Sequence, residues 1–336
     1  MRRTALVAIV AVCTPISAMA ENKGVAAFYA DRTVTIAVGF SAGGNYDRYA
    51  RLVAKHIGRH IPGQPAVVVT NVTGAGSRRL ANTLATLGPH DGTTIGLPNQ
   101  GIPTDQAIGA AGVQYDARRF NWIGSPAPEI NVLWAWHRSP VTTVAQAKQQ
   151  QMIVGSTGPG SPTHFYPQVM NMLIGTKFKI VTGYPGSSEL DAGIEQGEVN
   201  GRVVSWSSLK RTRDWYQSGK AVMMVQIGLQ RAPELADVPL AQDFVERPAD
   251  RKVLEFLALA PALGRPFFMS PLVPAHRVAA MRAAFAATMA DKDFLAEAAA
   301  ANLVVDPLSG DALAQIVTRI FESPPDVIKV AKSAME

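Results

Sequence analysis

Thr33–Asp47 reads TVTIAVGFSAGGNYD, and the fold follows from how that stretch is parsed. Thr33–Val38 is a β-branched run of strand character, and Gly39–Gly44 is a glycine-rich turn. Tyr46, Tyr49, Val53 and Ile57 then recur at the spacing of one helical face. The segment is strand, loop, helix. It also holds a formal G-x-S-x-G at Gly39–Gly43, the spelling of a hydrolase nucleophile elbow with Ser41 in the nucleophile's place. Two chemistries compete for one loop: attack on a substrate, or binding without attack.

The same unit recurs three times. Ala66–Val72 leads into Gly74–Ser77, after which Leu80, Leu84 and Leu87 share a face. Met152–Val154 leads into Gly155–Pro162 and then Phe165, Val169 and Met172, with Ser161 as N-cap and Pro162 at the first helical position. Phe178–Thr182 leads into Gly183–Ser188 and then Leu190 and Ile194, with Gly197 as the stop. Further strands are expected at Thr94–Leu97, Asn131–Trp136, Arg202–Trp206, Ala221–Ile227 and Leu254–Ala260. The end of the chain reads as helical: Val278, Met281, Phe285 and Met289 share one face and Leu313, Ile316, Val317 and Ile320 another, with Ser309 as a cap. Alternating strands and helices predict an α/β fold with largely parallel sheets covered by helices on both faces. Ligands of such sheets sit beyond the carboxyl ends of the strands. Two of the four glycine-rich loops precede residue 100 and two follow residue 150, which predicts a pair per domain and a cleft between them.

With 336 residues, of which 47% are hydrophobic, the chain is long enough for two cores at roughly 150 residues per domain. Arg2 and Arg3, an apolar run over Ala5–Val12 and the small-x-small Ala18-Met19-Ala20 read as a secretory signal peptide, residues 1–20, cleaved after Ala20. A membrane anchor needs roughly 20 apolar residues, and Thr14 and Pro15 interrupt this run. Cys13 is the single cysteine and lies in that leader, so the exported chain uses no disulfide. The net charge of +6 comes without a Lys/Arg run, which excludes a nucleic-acid partner; Lys210, Arg211 and Arg213 form the densest cluster and read as a solvated face.

Helix N-termini carry unpaired backbone N–H groups and a partial positive charge, so four glycine-rich loops ahead of helices make a candidate anion site. None spells a phosphate motif, which leaves carboxylate as the better ligand. Asp47 has two readings, favouring the dipole of its own helix or reaching the cleft. The elbow lacks the rest of a hydrolase: no earlier strand supplies the second oxyanion donor, and His137, His164 and His276 lie in no motif. His56 and His60 stand at i and i+4, but Ile57 replaces the glutamate of a zinc-protease helix, and the pair reads as an exposed face. Trp206, at the end of an expected strand, has a core reading and a cleft-lining one.

Together, the A-G-G-x-x-D of Ala42–Asp47, the Ala50-Arg51 that follows, the V-x-N-x-x-G-A-G of Val69–Gly76 and Pro89–Thr94 resemble the Bug family. These are the substrate-binding proteins of tripartite tricarboxylate transporters. Gly155–Ser161 with Thr163-His164, Val181–Ser187 and Val238–Leu240 extend the match over nearly all of the exported chain. The resemblance implies a two-lobed periplasmic binding protein, type II-like, closing as a Venus flytrap on an organic acid. It implies a binding function without catalysis, cofactor or metal, a monomer, and membrane transporter subunits as partners. The lobes would comprise residues 21–127 with 229–336 and residues 128–228, with crossings near Ser125–Val132 and Met224–Gln230.

The candidate ligand contacts are Phe40, Ser41, Ala42, Gly43, Gly44, Tyr46, Asp47, Ser77 and Gln100 in one lobe. In the other they are Ser156, Thr157, Gly160, Ser161, His164, Tyr184, Gly186, Ser187 and Trp206. Gly39 departs from a family proline, Asn45-Tyr46 replaces a small pair, and Arg78-Arg79 follows the second loop, where either arginine could pair a second carboxylate. Tyr46 narrows the pocket if it points inward. The alternatives are a ligand sensor for a signalling partner and a serine hydrolase using Ser41.

Overall fold

The β-branched run Thr33–Val38 forms strand β1, and the face stepped out by Tyr49, Val53 and Ile57 packs the following helix against it. The computed structural model describes residues 24–158, 161–184, 186–212 and 214–335. The signal peptide over residues 1–20 and the contact expected of Gly160 lie outside them.

The first sheet begins with helix α1 (residues 24–29), β1, α2 (Asn45–Ile57), β2 (Ala66–Asn71), α3 (Arg78–Thr86), β3 (Thr94–Leu97), α4 (Ile102–Ala107) and β4 (Asn121–Ser125). The chain then builds a second sheet from β5 (Asn131–Trp136), α5 (Val144–Gln149), β6 (Met152–Gly155), α6 (Pro162–Ile174), β7 (Phe178–Val181), α7 (Ser187–Gln196), β8 (Gly201–Ser205), α8 (Trp206–Thr212) and β9 (Ala221–Ile227). It returns through α9 (Pro248–Leu263) to β10 (Phe267–Met269), α10 (Ala275–Met289), α11 (Lys292–Ala300), β11 (Leu308–Ser309), α12 (Gly310–Phe321) and α13 (Pro325–Met335). The first sheet has the order β11-β4-β10-β3-β1-β2 and the second β7-β6-β8-β5-β9.

Each sheet is half parallel. β2, β1 and β3 run together, as do β7, β6 and β8, while β10, β4, β11, β5 and β9 are antiparallel to their neighbours. The parallel halves carry the four glycine-rich loops at their carboxyl ends. The largely parallel expectation is corrected in the other halves: the chain leaves the first sheet through β4, enters the second through β5 and returns through β9 to β10 and β11, and outgoing and returning strands lie antiparallel.

Alternation assigns the faces. Val34, Ile36 and Val38 of β1 enter a core with α2 and α10, whereas Ala37 faces the opposite core. Val132, Trp134 and Trp136 of β5 face one way, and Leu133 and Ala135 the other. That second face shares an apolar cluster with α9, α6, α12 and α13, which joins the two lobes.

Leu254–Ala260, expected as a strand, lies inside α9. Its Leu, Glu and Ala residues favour helix over strand. Apart from Glu255 the run is apolar, because α12 and α13 pack on it while Tyr166 of α6 donates to the Leu257 carbonyl at 3.2 Å. A continuous apolar run of that length does not separate a buried strand from a buried helix. Leu87 falls past the end of α3 and is 84% exposed, so the third residue of that expected face is lost. Ser309 caps α12 as expected, accepting from the Ala312 N–H at 3.1 Å.

Candidate functional site

The β1–α2 loop is shaped by Asp47. Its Oδ2 accepts from the Gly43 N–H at 2.9 Å and Arg51 Nε at 2.8 Å, and its Oδ1 from Arg51 Nη2 and Asn71 Nδ2, each at 3.0 Å. Asn71 Nδ2 also donates to the Phe40 carbonyl at 2.8 Å. Burial alone would raise this carboxyl, but the donors from Arg51, Gly43 and Asn71 outweigh it and hold it at about 2. The side chain is thus engaged within its own lobe and holds the loop from below. Gly43 turns its N–H toward Asp47 with a φ of 86°, which only glycine adopts freely. Ser41, Ala42, Gly43 and Gly44 are left exposed.

Under this loop, Gly39 and Ser77 share one space. A Cβ at Gly39 would lie 1.6 Å from Ser77 Oγ, and Ser77 is 1% exposed with that oxygen unpartnered. Ser77 therefore packs beneath the loop.

In the second lobe, hydroxyls organise the β6–α6 loop. Ser156 Oγ accepts from the Gly158 N–H at 3.0 Å, and Thr163 Oγ1 accepts from the Thr157 N–H at 3.0 Å and meets Ser161 Oγ at 2.6 Å. Ser161 occupies the N-cap, but its hydroxyl turns to the Gly158 carbonyl at 2.8 Å instead of capping a helix N–H. His164 Nδ1 lies 3.4 Å from Ser156 Oγ. At the head of α7, Ser187 Oγ accepts from Arg202 at 3.2 Å, and Arg202 is itself buried against Asp191 at 2.8 Å. Tyr184 donates to Glu198 at 2.9 Å, and Gly186 precedes the helix.

Between the lobes lies a cavity of about 720 Å³. Phe40, Ala75, Gly76, Arg78, residues 99–101, Thr104, Asp105 and Ala111 contribute from the first lobe, and Thr157, Ser161, Pro162, Phe165 and Tyr166 from the second; Leu257 and Ala260 of α9 and Lys332 of α13 complete it. Of the expected contacts, Phe40, Gln100, Thr157 and Ser161 line this cavity. Ser41, Ala42, Gly43 and Gly44 are in the loop adjoining Phe40, outside the lining. Asp47, Ser77, Ser156, His164, Tyr184, Gly186 and Ser187 also stand outside it, engaged in holding the loops or beginning a helix.

Three charged groups line the wall. Arg78 Nη1 stands 3.6 Å from Asp105 Oδ2, and Lys332 faces the same space. Burial pushes the Asp105 carboxyl up to about 6, with Arg78 opposing it only in part. Nearby, the buried Thr104 hydroxyl has no partner. Arg78 had a visible signal in the sequence, next to the glycine loop. Asp105 and Lys332 had none, because they reach the site through α4 and through α13, which packs against α6 and α9.

Tyr46 points inward, yet toward the lobe junction. Its ring lies 4.5 Å from Phe40, its hydroxyl accepts from the Gln100 N–H at 3.2 Å and donates to the Gly264 carbonyl at 3.3 Å, and Arg265 lies 5.6 Å over its ring. Trp206 opens α8 instead of ending a strand, donates to Glu234 at 2.7 Å, and lines a different cavity. Asn45 Nδ2 donates to Ser208 Oγ at 2.5 Å, a direct bond between the two lobes.

Among the described residues no histidine is hydrogen-bonded to Ser41, and no cluster of three or more His, Cys, Asp or Glu is placed to hold a metal ion. His56 and His60 are not an exposed pair: His56 is 5% exposed and bonded to Glu297 at 2.8 Å, and His60 meets Asp291 at 2.7 Å, both on α11 or its cap. No described helix is long and apolar enough to cross a membrane.

The sequence model of the tripartite tricarboxylate transporter family receptor matches residues 49–306. No curated protein matches the chain. Among solved structures, a TctC solute-binding protein from Polaromonas superposes with a TM-score of 0.65 at 19% identity, covering 90% of this chain and 97% of that one. Rpa4515 of R. palustris, solved with adipate, gives 0.65 at 21% identity over 89% and 97%. MatC from Rhodopseudomonas palustris, solved with malate, gives 0.64 at 19% over 88% and 99%. At these identities the likeness speaks for the fold, a two-lobed binding protein.

Proposed function

The chain belongs to the tripartite tricarboxylate transporter receptor family, and on that premise we propose that it captures a small organic carboxylate between its lobes and hands it to the transporter's membrane subunits. The observation that carries the ligand class is the 720 Å³ interlobe cavity with Arg78 and Lys332 on its wall and the N-terminus of α6 at its mouth. An arginine fork binds a carboxylate through charge-assisted hydrogen bonds, and the helix terminus adds about 0.3–2 kcal/mol per favourable contact. Relatives solved with adipate and malate support an acid of that kind.

In this reading Phe40, Gln100 and Arg78 approach the ligand from one lobe and Thr157 and Ser161 from the other, with Ser41 to Gly44 in the loop beside Phe40. Each lobe contributes donors to the same anion, so the ligand favours closure by its differential affinity for the closed state. One lobe comprises residues 21–127 and 229–336 and the other residues 128–228. The chain works in the periplasm as a monomer after loss of residues 1–20.

A thermal-shift and calorimetric screen of residues 21–336 against malate, succinate, adipate and aromatic acids tests the proposal. An acid at 100 times its dissociation constant adds about 2.7 kcal/mol of stability. A shift with one acid class, abolished by Arg78→Ala, is the expected result. No shift with any acid would refute the reading.

A further inference from the structure

The cavity that Trp206 lines is about 510 Å³ and lies where the chain passes between the lobes. Tyr49 and Val304 come from the first lobe, and Trp206 and Lys210 from the second. Residues 127–130 and 229–234 supply the crossings, and Ala262 and Arg265 close the end of α9. The two cavities lie on either side of α9, since Leu257 and Ala260 line one and Ala262 the other.

The charged groups lining this second cavity already have partners, all within the lining except Asp243. Glu234 accepts from Trp206 Nε1 at 2.7 Å and Lys210 at 2.6 Å, Glu129 holds Arg265 at 2.9 Å, Arg231 is bonded to Asp243 at 2.7 Å, and Tyr49 donates to the Val304 carbonyl at 2.8 Å. A charged guest would have to displace one of these partners and leave its counter-charge behind, several kcal/mol against binding at the buried Glu129–Arg265 pair. The guest that fits is therefore uncharged. Apart from Ser207, which donates to Glu129, and the exposed Gln230, the rest of the wall is proline, alanine, isoleucine, leucine and the indole of Trp206. Arg265 is 3% exposed and held by Glu129 and Ser207, so its charge is already met. The volume falls in the range of about 300–1,000 Å³ usual for small-molecule sites.

We propose that this hinge cavity is a second binding site, for an uncharged, ring-sized apolar molecule, and that a guest there fixes the angle between the lobes. Its walls come from both lobes, so rotation of one against the other changes the distance across it. A molecule that fits one separation selects that separation.

The test uses N-phenyl-1-naphthylamine, a neutral dye that fluoresces in apolar surroundings, and the chain from residue 21. One saturable site is expected. Ala262→Trp and Ala232→Trp, which fill the cavity from α9 and from the second crossing, each weaken it at least tenfold. Ala111→Trp, which fills the interlobe cavity, leaves it unchanged. Two variants are used because either alone could disturb folding, which an unchanged melting temperature excludes. Absence of saturable binding, or binding lost only in Ala111→Trp, overturns the site.

Cys13 is the single cysteine, so spin labels at Leu87→Cys on the first lobe and Met172→Cys on the second report the lobe separation alone; both positions are exposed, at 84% and 46%. Narrowing of their distance distribution with dye bound is the expected result, and an unchanged distribution overturns the lobe-fixing half. Neither readout requires that any carboxylate bind.

Discussion

Arg78 Nη1 and Asp105 Oδ2 face each other across 3.6 Å on the wall of the interlobe cavity. An incoming carboxylate competes with ionised Asp105 for the same guanidinium. Arg78→Ala should weaken binding of the preferred acid roughly 10- to 100-fold, the loss of one charge-assisted interaction of about 1.5–3 kcal/mol. Asp105→Asn should strengthen it by several-fold. In the wild type, affinity should rise as pH falls from 7 to 5, because Asp105 takes up its proton near 6 and releases Arg78. Calorimetric titrations of the three proteins at pH 5, 6 and 7 decide this, and a flat wild-type profile would remove Asp105 from the site.

Stability should carry the mark of the same carboxyl, with the opposite sign to the usual acid group. The folded pKa of about 6 lies above the ordinary carboxylate value, so the folded state binds the proton more tightly. The resulting stabilisation is complete below pH about 4 and is lost as pH rises through 6, at most about 3 kcal/mol at roughly 1.4 kcal/mol per unit. Asp47, held at about 2, acts in reverse: its stabilisation is present above pH about 4 and lost as pH falls through 2. Urea unfolding should show Asp105→Asn flattening the curve between pH 4 and 6.5, and Asp47→Asn flattening it between pH 4 and 2.

Gly39 and Ser77 form a pair that must be changed together. Gly39→Ala places a Cβ 1.6 Å from Ser77 Oγ and should cost about 1–3 kcal/mol as an overpacked site. Ser77 has a φ of 78°, so Ser77→Gly relieves a left-handed serine and opens the space. The double variant should recover most of the loss. A double-mutant cycle on melting temperature would show additivity if the two residues were independent.

Glu129 and Arg265 are buried together, with side chains 5% and 3% exposed, and Ser207 hydrogen-bonds to both. Glu129→Gln should destabilise by about 3–5 kcal/mol because it strands the guanidinium, whereas replacing both by apolar residues of similar volume should be far milder. Chemical denaturation of the single and double variants checks the order. Equal losses would mean that the pair acts through packing alone.

Much of the scaffold could be read in the sequence where its physics is local. Thr33–Val38, Asn131–Trp136 and Ala221–Ile227 are strands over those same residues because each is rich in β-branched or aromatic side chains. Gly197 ends α7 in the left-handed conformation its position suggested. What failed depended on distant neighbours: Leu254–Ala260 is a helix with three others packed around it, and Trp206, which starts a helix, has its indole N–H bonded to Glu234. The site divides the same way. Phe40, Gln100, Thr157 and Ser161 follow strand ends, where cleft residues belong, while Asp105 and Lys332 arrive by tertiary packing with no motif to mark them.

The position of β10 has a consequence for biogenesis. This short strand sits between β3 and β4, so the first sheet is completed by residues that follow all five strands of the second. During synthesis and export the second sheet has every strand it needs by Ile227, while β3 and β4 wait with open edges for Phe267–Met269. Pairing across so long a separation is slow, and an unpaired edge is an aggregation hazard until it closes. The lobe that emerges first is therefore the last to mature, and a holding chaperone would find its purchase on the margins of β3 and β4.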